Sequence, residues 1–267
     1  MDSRSEVLAN PEPMVDLVDA HCHPYLSEVE PSVTLERARE GGVRSFVVVG
    51  VDPRSSRSAV DIAIAHPDVV ATAGMHPHDA SGLDPQARAD IRALAVEPSV
   101  VALGETGLDF FRMLSSRQAQ EDAFRWHLRL SGELSLPVVV HVRDAWERAI
   151  EILDEEEPAS VVLHCFSADA ETARVCASRG WFLSFAGPIT YPKNEHLREA
   201  VAAVPMSQVL TETDSPYLAP QPLRGRENSP GNVGFVVDAI ASARSESRES
   251  VATAVMDNAH RAFPGLR

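Results

Sequence analysis

Cysteine is scarce in this chain of 267 residues, which has only Cys22, Cys165 and Cys176. Their number is odd and no two of them form a Cys-x-x-Cys pair, so the pattern argues against a disulfide framework. Disulfides are typical of oxidising compartments, whereas unpaired cysteines are typical of reducing ones. We therefore expect a cytoplasmic location.

Long apolar runs are also absent, and no stretch approaches the length that crosses a bilayer, so we expect no membrane partner. The first residues are polar and acidic, without the basic and apolar regions of a signal peptide. Residues 1–14 are expected to form a flexible N-terminal extension. Residues 15–267 contain no internal repeat, low-complexity segment or linker, and are predicted to form a single domain.

Positive charge is in short supply, because 24 Lys and Arg residues face 39 Asp and Glu residues and the net charge is −15. Non-specific nucleic-acid binding depends on Lys and Arg side chains that neutralise phosphates, and this composition argues against it. The composition does not exclude a site at which bound metal ions supply the positive charge locally.

What the chain does have is a regular alternation of β-branched apolar runs and amphipathic stretches. The predicted strands are residues 14–20, 45–51, 69–74, 100–104, 138–141, 160–164, 181–185 and 208–211. The predicted helices are residues 31–40, 53–65, 84–95, 118–134, 143–153, 169–178, 194–204, 233–243 and 247–259. Eight strand–helix units in a chain of this length favour a (β/α)8 TIM barrel, and an open doubly wound sheet is the alternative.

Histidines and carboxylates gather where the predicted strands end. His21 and His23 lie two residues apart, so they face the same side of an extended strand. Six such residues would converge at one end of a closed barrel: His21, His23, Glu105, His141, His164 and Asp214. Any one of them alone could be a buried structural histidine or a capping carboxylate. Together they exceed the needs of one four-coordinate ion, and suit two ions about 3.5–4 Å apart with a shared carboxylate.

At these positions the chain resembles the TatD family of metal-dependent deoxyribonucleases, which belong to the amidohydrolase-like barrels. The matching stretches are VDAHCH (18–23), GMHPH (74–78), GETGLDF (104–110), HVRDA (141–145), HCFS (164–167), ETDSPYL (212–218) and NAHRAF (258–263). The resemblance therefore covers about residues 15 to 263 and implies a TIM barrel of the metal-dependent hydrolase type.

The resemblance also implies roles for individual residues. One divalent ion would be held by His21, His23, Glu105 and Asp214, and a second by Glu105, His141 and His164, with Glu105 as the bridge. The two ions per chain would be Mg, Mn or Zn. His76 and Arg143 would contact the scissile phosphate. Glu212 would not contact an ion directly, but would interact with the residues that do. Asp109, His78, Arg224 and Arg226 are candidates for the rim of the site, although an exposed loop explains the two arginines equally well.

The implied activity is hydrolysis of DNA phosphodiester bonds, as an exonuclease that prefers single-stranded ends. Asp214 would take a proton from the attacking water, and Glu105 would hold both ions. One alternative is another metallohydrolase with the same centre, acting on an ester, lactone, amide or aminoacyl-tRNA bond. Another is a non-enzymatic metal-bound protein, which would be expected to have lost ligands. No feature of the sequence indicates a stable protein partner.

Overall fold

The computed structural model describes residues 15–266, so the extension predicted for residues 1–14 lies outside the described residues. Within this range eight strands alternate with nine α-helices. The strands are β1 (Leu17–Cys22), β2 (Val43–Val48), β3 (Val69–Ala73), β4 (Val100–Asp109), β5 (Val138–Arg143), β6 (Val161–His164), β7 (Phe182–Phe185) and β8 (Val209–Thr211). The helices are α1 (Pro31–Glu40), α2 (Pro53–Ala65), α3 (Pro85–Ala95), α4 (Arg117–Leu134), α5 (Trp146–Glu156), α6 (Ala170–Ser178), α7 (Glu195–Ala203), α8 (Val233–Arg244) and α9 (Arg248–Ala262).

The eight strands form one parallel sheet in the order β1 to β8, in which each strand pairs with the next along the chain. The sheet curves round until its ends meet, because Cys22 at the end of β1 bridges to Ser215 just after β8. An open doubly wound sheet would keep its edge strands apart. The predicted (β/α)8 barrel is therefore confirmed, with the carboxyl ends of all strands at one mouth.

Capping side chains and prolines start several helices close to the predicted positions. Pro53 is the first residue of α2, and the Asp52 carboxylate accepts a hydrogen bond from the N–H of Ser55 at 2.6 Å. Proline is tolerated there because the first N–H groups of a helix lack intrahelical partners. Within residues 15–266, none of the helices combines the length and apolar character that crossing a membrane requires.

Among the boundaries at the mouth that differ from the prediction, two position residues of the site. β4 continues beyond Gly104 to Asp109, so Glu105 lies within the barrel wall and not in a loop. Gly107 has φ +136°, and a Cβ there would lie only 2.1 Å from the carbonyl oxygen of His141. The absence of a side chain lets β4 and β5 stay close enough to pair as far as Asp109.

The second difference is the start of α5, which begins at Trp146 and not at residue 143. Arg143 is the last residue of β5, and the next residue, Asp144, has φ +52° in the left-handed region. A helix cannot include a residue with this backbone conformation, so a turn separates strand and helix. Arg143 is therefore presented at the mouth of the barrel.

Candidate metal centre

Glu105 lies at the mouth of the barrel, with each carboxylate oxygen facing a different group of side chains. Oε2 is 3.4 Å from Nε2 of His21 and 4.0 Å from Nε2 of His23. Oε1 is 3.0 Å from Nδ1 of His141 and 3.5 Å from Nε2 of His164. Burial raises the pKa of a carboxyl group, but the surrounding histidines hold the pKa of Glu105 well below its usual value. Glu105 is therefore ionised at the centre of the cluster.

We call His21, His23 and Asp214 the His21 set. The Nε2 atoms of His21 and His23 are 3.1 Å apart, and Oδ1 of Asp214 is 3.9 Å from the first and 3.4 Å from the second. Ligand atoms about 2.1 Å from a tetrahedrally bound ion lie about 3.4 Å from one another. His21, His23 and Glu105 offer ligand atoms that all lie within 4.8 Å of one another, and Oδ1 of Asp214 adjoins them beside the two histidines.

Hydrogen bonds between β1 and the segment after β8 hold the His21 set in place. The N–H of Asp214 donates to the carbonyl oxygen of His21 at 2.9 Å. The side-chain oxygens of Asp19, a carboxyl group whose pKa burial raises to about 8, accept hydrogen bonds from the N–H of Thr213 at 2.8 Å and from its hydroxyl at 2.6 Å. This role of Asp19 was not predicted from the sequence. The available signal was an acidic residue inside an otherwise apolar strand, two positions before His21.

We call His141 and His164 the His141 set. They lie opposite each other in the register of β5 and β6, and each has a carboxylate on the side away from Glu105. Nδ1 of His164 is 2.7 Å from Oε1 of Glu212, and Nε2 of His141 is 3.5 Å from Oδ2 of Asp109. Metal-binding histidines commonly have such an acceptor behind them, which orients the ring and leaves the other nitrogen for the ion. The His141 set and Oε1 of Glu105 thus offer three donor atoms.

His23 has a comparable partner in the backbone of Val49. Nδ1 of His23 is 2.8 Å from the carbonyl oxygen of Val49, which can only accept, so Nδ1 carries the proton. Burial lowers the pKa of His23, but the hydrogen bond with Asp214 outweighs this effect and raises it, so a bound ion would take the place of the proton on Nε2. Burial lowers the pKa of His21 and favours the neutral ring that binds metals. This donor set of imidazole nitrogens and carboxylate oxygens fits a divalent metal ion, of either a transition type or a harder type.

His76 differs from the other histidines of the cluster. Its Nδ1 accepts a hydrogen bond from the N–H of His78 at 3.1 Å, and burial lowers its pKa, so the ring is neutral and its proton is on Nε2. Nε2 lies 3.4 Å from Oε1 of Glu105. His76 therefore presents a donor N–H beside the cluster. Its ring also forms, with Glu105 and His141, a group of possible ligand atoms that all lie within 4.8 Å of one another.

The remaining candidates occupy two distinct environments. Arg143 is exposed at the mouth, and its Cζ lies 4.0 Å from the centre of the Phe111 ring. Arg224 and Arg226 are exposed on the loop after β8. Asp109, however, is not a rim residue, because it is only 1% exposed and its Oδ2 pairs with Nε2 of His78 at 2.8 Å. β4 is longer than predicted, and this length buries Asp109 beneath the rim.

Comparison with known proteins shows the family to which this chain belongs. The family model described as TatD related DNase matches residues 18–264. The chain is 35% identical over 251 residues to the uncharacterized metal-dependent hydrolase YabD of Bacillus subtilis, covering 92% of this chain and 98% of that protein. It is 38% identical over 237 residues to the 3'-5' ssDNA/RNA exonuclease TatD of Erwinia tasmaniensis, covering 86% and 92%.

A solved structure agrees as well. The crystal structure of YjjV, a TatD homologue of Escherichia coli, has a TM-score of 0.87 and 25% identity, and the match covers 92% of this chain and 97% of that one. The chain belongs to the TatD-related DNase family of metal-dependent hydrolases.

Proposed function

We propose that this protein is a two-metal exonuclease that removes nucleotides from the ends of single-stranded DNA. The observation that carries the proposal is the position of Glu105 between two groups of ligand-type side chains, one at each carboxylate oxygen. Two ions that share a carboxylate are characteristic of enzymes that cleave phosphodiester bonds. The name of the Erwinia relative supports a nucleic-acid substrate, favours 3'-to-5' polarity and adds single-stranded RNA as a second substrate.

Each of the two sets would hold one ion. The His21 set and Oε2 of Glu105 would hold one divalent ion, and the His141 set and Oε1 would hold the other. When bound, these ions lower the pKa of water and offset the charge that grows on the phosphoryl group. The mixture of imidazoles and carboxylates is compatible with Mg, Mn or Zn.

The chain's own residues would bind and orient the substrate. His76 would donate its Nε2–H to a phosphate oxygen, and Arg143 would offer the planar pair of donors that suits a phosphate. Burial raises the pKa of Asp214, but His23 and His164 outweigh this effect and lower it, so the side chain is an ionised acceptor. Asp214 would accept the proton of the attacking water. Glu212 would keep the ring of His164 oriented.

End-labelled substrates test this proposal. Purified protein would be stripped with chelator, reloaded separately with Mg²⁺, Mn²⁺ or Zn²⁺, and given single-stranded DNA, single-stranded RNA and blunt duplex DNA. We expect stepwise shortening of the single strands from the 3' end, slower attack on the duplex, and no activity in the Asp214→Asn variant. Hydrolysis of activated esters or lactones, without cleavage of nucleic acid by any metal form, would favour another metallohydrolase and contradict the proposal.

We also propose a cellular location and a domain organisation for the enzyme. A cytoplasmic location is consistent with its three free cysteines. A single domain over residues 15–267 is consistent with the continuous eight-stranded sheet of the described residues.

A further inference from the structure

An exposed aromatic and cationic surface adjoins the His141 set at the mouth of the barrel. We call Phe111 and Arg143 the rim patch. The Phe111 side chain is 58% exposed, and the guanidinium Cζ of Arg143 lies 4.0 Å from the centre of its ring. Met113 and Leu114, in the same loop after β4, are 42% and 67% exposed. Three large apolar side chains exposed within four residues are more than the scattered exposure that protein surfaces normally show.

The rim patch is fixed to the metal centre through Asp109. Its Oδ1 accepts hydrogen bonds from the N–H groups of Phe111, at 3.0 Å, and of Arg112, at 2.7 Å. Its Oδ2 lies 3.5 Å from Nε2 of His141, whose other nitrogen is 3.0 Å from Glu105. A single buried carboxylate therefore sets the position of both a candidate ligand and the loop that carries Phe111.

Arg143 connects the patch to the centre by a second route. It lies two residues after His141 in β5, so the two side chains leave the strand on the same side. Among the described residues 15–266, its guanidinium takes part in no ion pair. A free cation in a protein with a net charge of −15 is available for a phosphate.

A single-stranded nucleotide matches both halves of this surface. Its base has an exposed aromatic face that can stack on a phenyl ring, and its phosphate can pair with the guanidinium. In a duplex, each base face is covered by the neighbouring base pair, except at the last pair. An aromatic platform beside the centre would therefore favour single strands, and would do so with little dependence on base identity.

We propose that Phe111, stacked on Arg143, is a specificity-determining residue that binds one nucleobase near the scissile phosphodiester of a single strand. This inference rests on the nuclease function proposed above. It adds to that function a base-binding subsite formed by the loop after β4. It also assigns Asp109 as a positioning residue that holds Phe111 in register with His141.

The test combines a protein variant with a substrate modification. Wild type, Phe111→Ala, Phe111→Trp and the control Phe235→Ala would be assayed on single-stranded DNA in which one of the three terminal nucleotides is abasic. Phe235 is a partly exposed phenylalanine on α8, outside the loop after β4, and is 38% exposed. Stacking of one base on an aromatic side chain corresponds to about a 5- to 150-fold effect on affinity.

We expect Phe111→Ala to raise KM for the intact strand by about 5- to 150-fold with little change in kcat, and Phe111→Trp to restore KM. One abasic position should raise KM of wild type by the same factor and have no further effect on Phe111→Ala. Phe235→Ala should resemble wild type. Discrimination between single strand and duplex should shrink in Phe111→Ala, because duplex ends gain less from stacking.

Two outcomes would overturn the inference while leaving the nuclease function intact. One is cleavage of the intact strand by Phe111→Ala with the KM of wild type. The other is an equal loss on intact and abasic strands, which would show that Phe111 supports the loop and does not contact a base. If wild type neither cleaves nor binds nucleic acid, the proposed function is wrong, and the proposed base-binding subsite is wrong with it.

Discussion

The His21 set and the His141 set share Glu105 but differ in how completely they surround an ion. The His21 set adds a second carboxylate, Asp214, to two imidazoles, and the side chains of His21, His23 and Asp214 are 0%, 3% and 14% exposed. The His141 set has only imidazoles beside Glu105, and the side chains of His141 and His164 are 18% and 3% exposed. With Glu105, the first set offers four donor atoms, whereas the second offers three and adjoins the rim patch.

This difference suggests that the two neighbouring metal sites have different roles. Closed sites with four protein ligands typically hold a metal permanently, whereas catalytic sites keep a position open for water or substrate. The His21 set should therefore bind its ion more tightly. The His141 set should bind the ion that exchanges more readily and meets the substrate.

The largest effect is expected for Glu105→Gln, because this change removes the charge that both sets share. Both ions should bind much more weakly, and nuclease activity should fall by about 10³-fold or more. Elemental analysis together with an end-labelled DNA assay would measure the two effects. A Glu105→Gln protein that retained two ions with native affinity would show that the two sets do not depend on a common bridge.

The next effect separates the two sets directly. His164→Ala should leave about one ion per chain, bound with nearly native affinity, and should reduce activity by about 10²-fold or more. His23→Ala should weaken the tighter of the two binding events instead. Metal titrations of both variants, followed by calorimetry, would reveal the difference. Identical titration curves for the two variants would mean that the sets are equivalent.

A smaller effect is expected for Asp109→Asn, which keeps the shape of the side chain but weakens the acceptor behind His141. Loss of such a partner typically lowers metal affinity or activity by about 10- to 100-fold. The loss should affect the ion of the His141 set and spare that of the His21 set. Asp84→Asn is the matched control, since Asp84 caps α3 and asparagine caps helices equally well. Equal losses in both variants would argue against a specific role for Asp109.

The smallest effect concerns the pH dependence of the free energy of unfolding. It arises from a buried histidine outside the metal centre. His127 on α4 is fully buried, and burial lowers its pKa to about 4. Below pH 6.5 the unfolded chain therefore binds a proton that the folded chain does not take up until about pH 4. The stability that neutral His127 provides is complete above about pH 6.5, and is lost as the pH falls toward 4.

Between pH 7 and pH 5 this difference corresponds to about 2 kcal/mol of unfolding free energy. Urea unfolding of His127→Gln should show a weaker pH dependence than wild type by that amount. The exposed His260 provides the control, and His260→Gln should keep the pH dependence of wild type. If His127→Gln lost stability on acidification as steeply as wild type, other groups would account for the whole effect.

The sequence was most informative where the chemistry depends on strand ends. In a parallel barrel all carboxyl ends share one mouth, so placing His21, His141 and His164 at or just after the ends of predicted strands was enough to bring them together. The burial of Asp109 was not predictable in this way. It depends on pairing between β4 and β5 beyond Gly107, and on the side chain of Gln120 in α4, whose Oε1 accepts from the N–H of Asp109 at 2.8 Å.

Two further features depended on backbone conformation and tautomer, which strand periodicity does not report. Asp214 has φ +55°, so its direction does not follow from the alternation of β8. The donor role of His76 follows from the hydrogen bond that its Nδ1 accepts from His78. The stack of Arg143 on Phe111 joins the end of β5 to the loop after β4, and only the fold reveals it.

The shared position of Glu105 is tested most directly by the magnetic properties of the manganese-loaded protein. Chelated protein would be titrated with Mn²⁺ and followed by electron paramagnetic resonance together with metal analysis. We expect two ions per chain, with a tighter first binding step and a spin-coupled signal at saturation. Coupling is expected because ions that share a carboxylate lie about 3.5–4 Å apart. The coupled signal should disappear in Glu105→Gln. Saturation at one ion per chain, or two ions without spin coupling, would contradict the binuclear account.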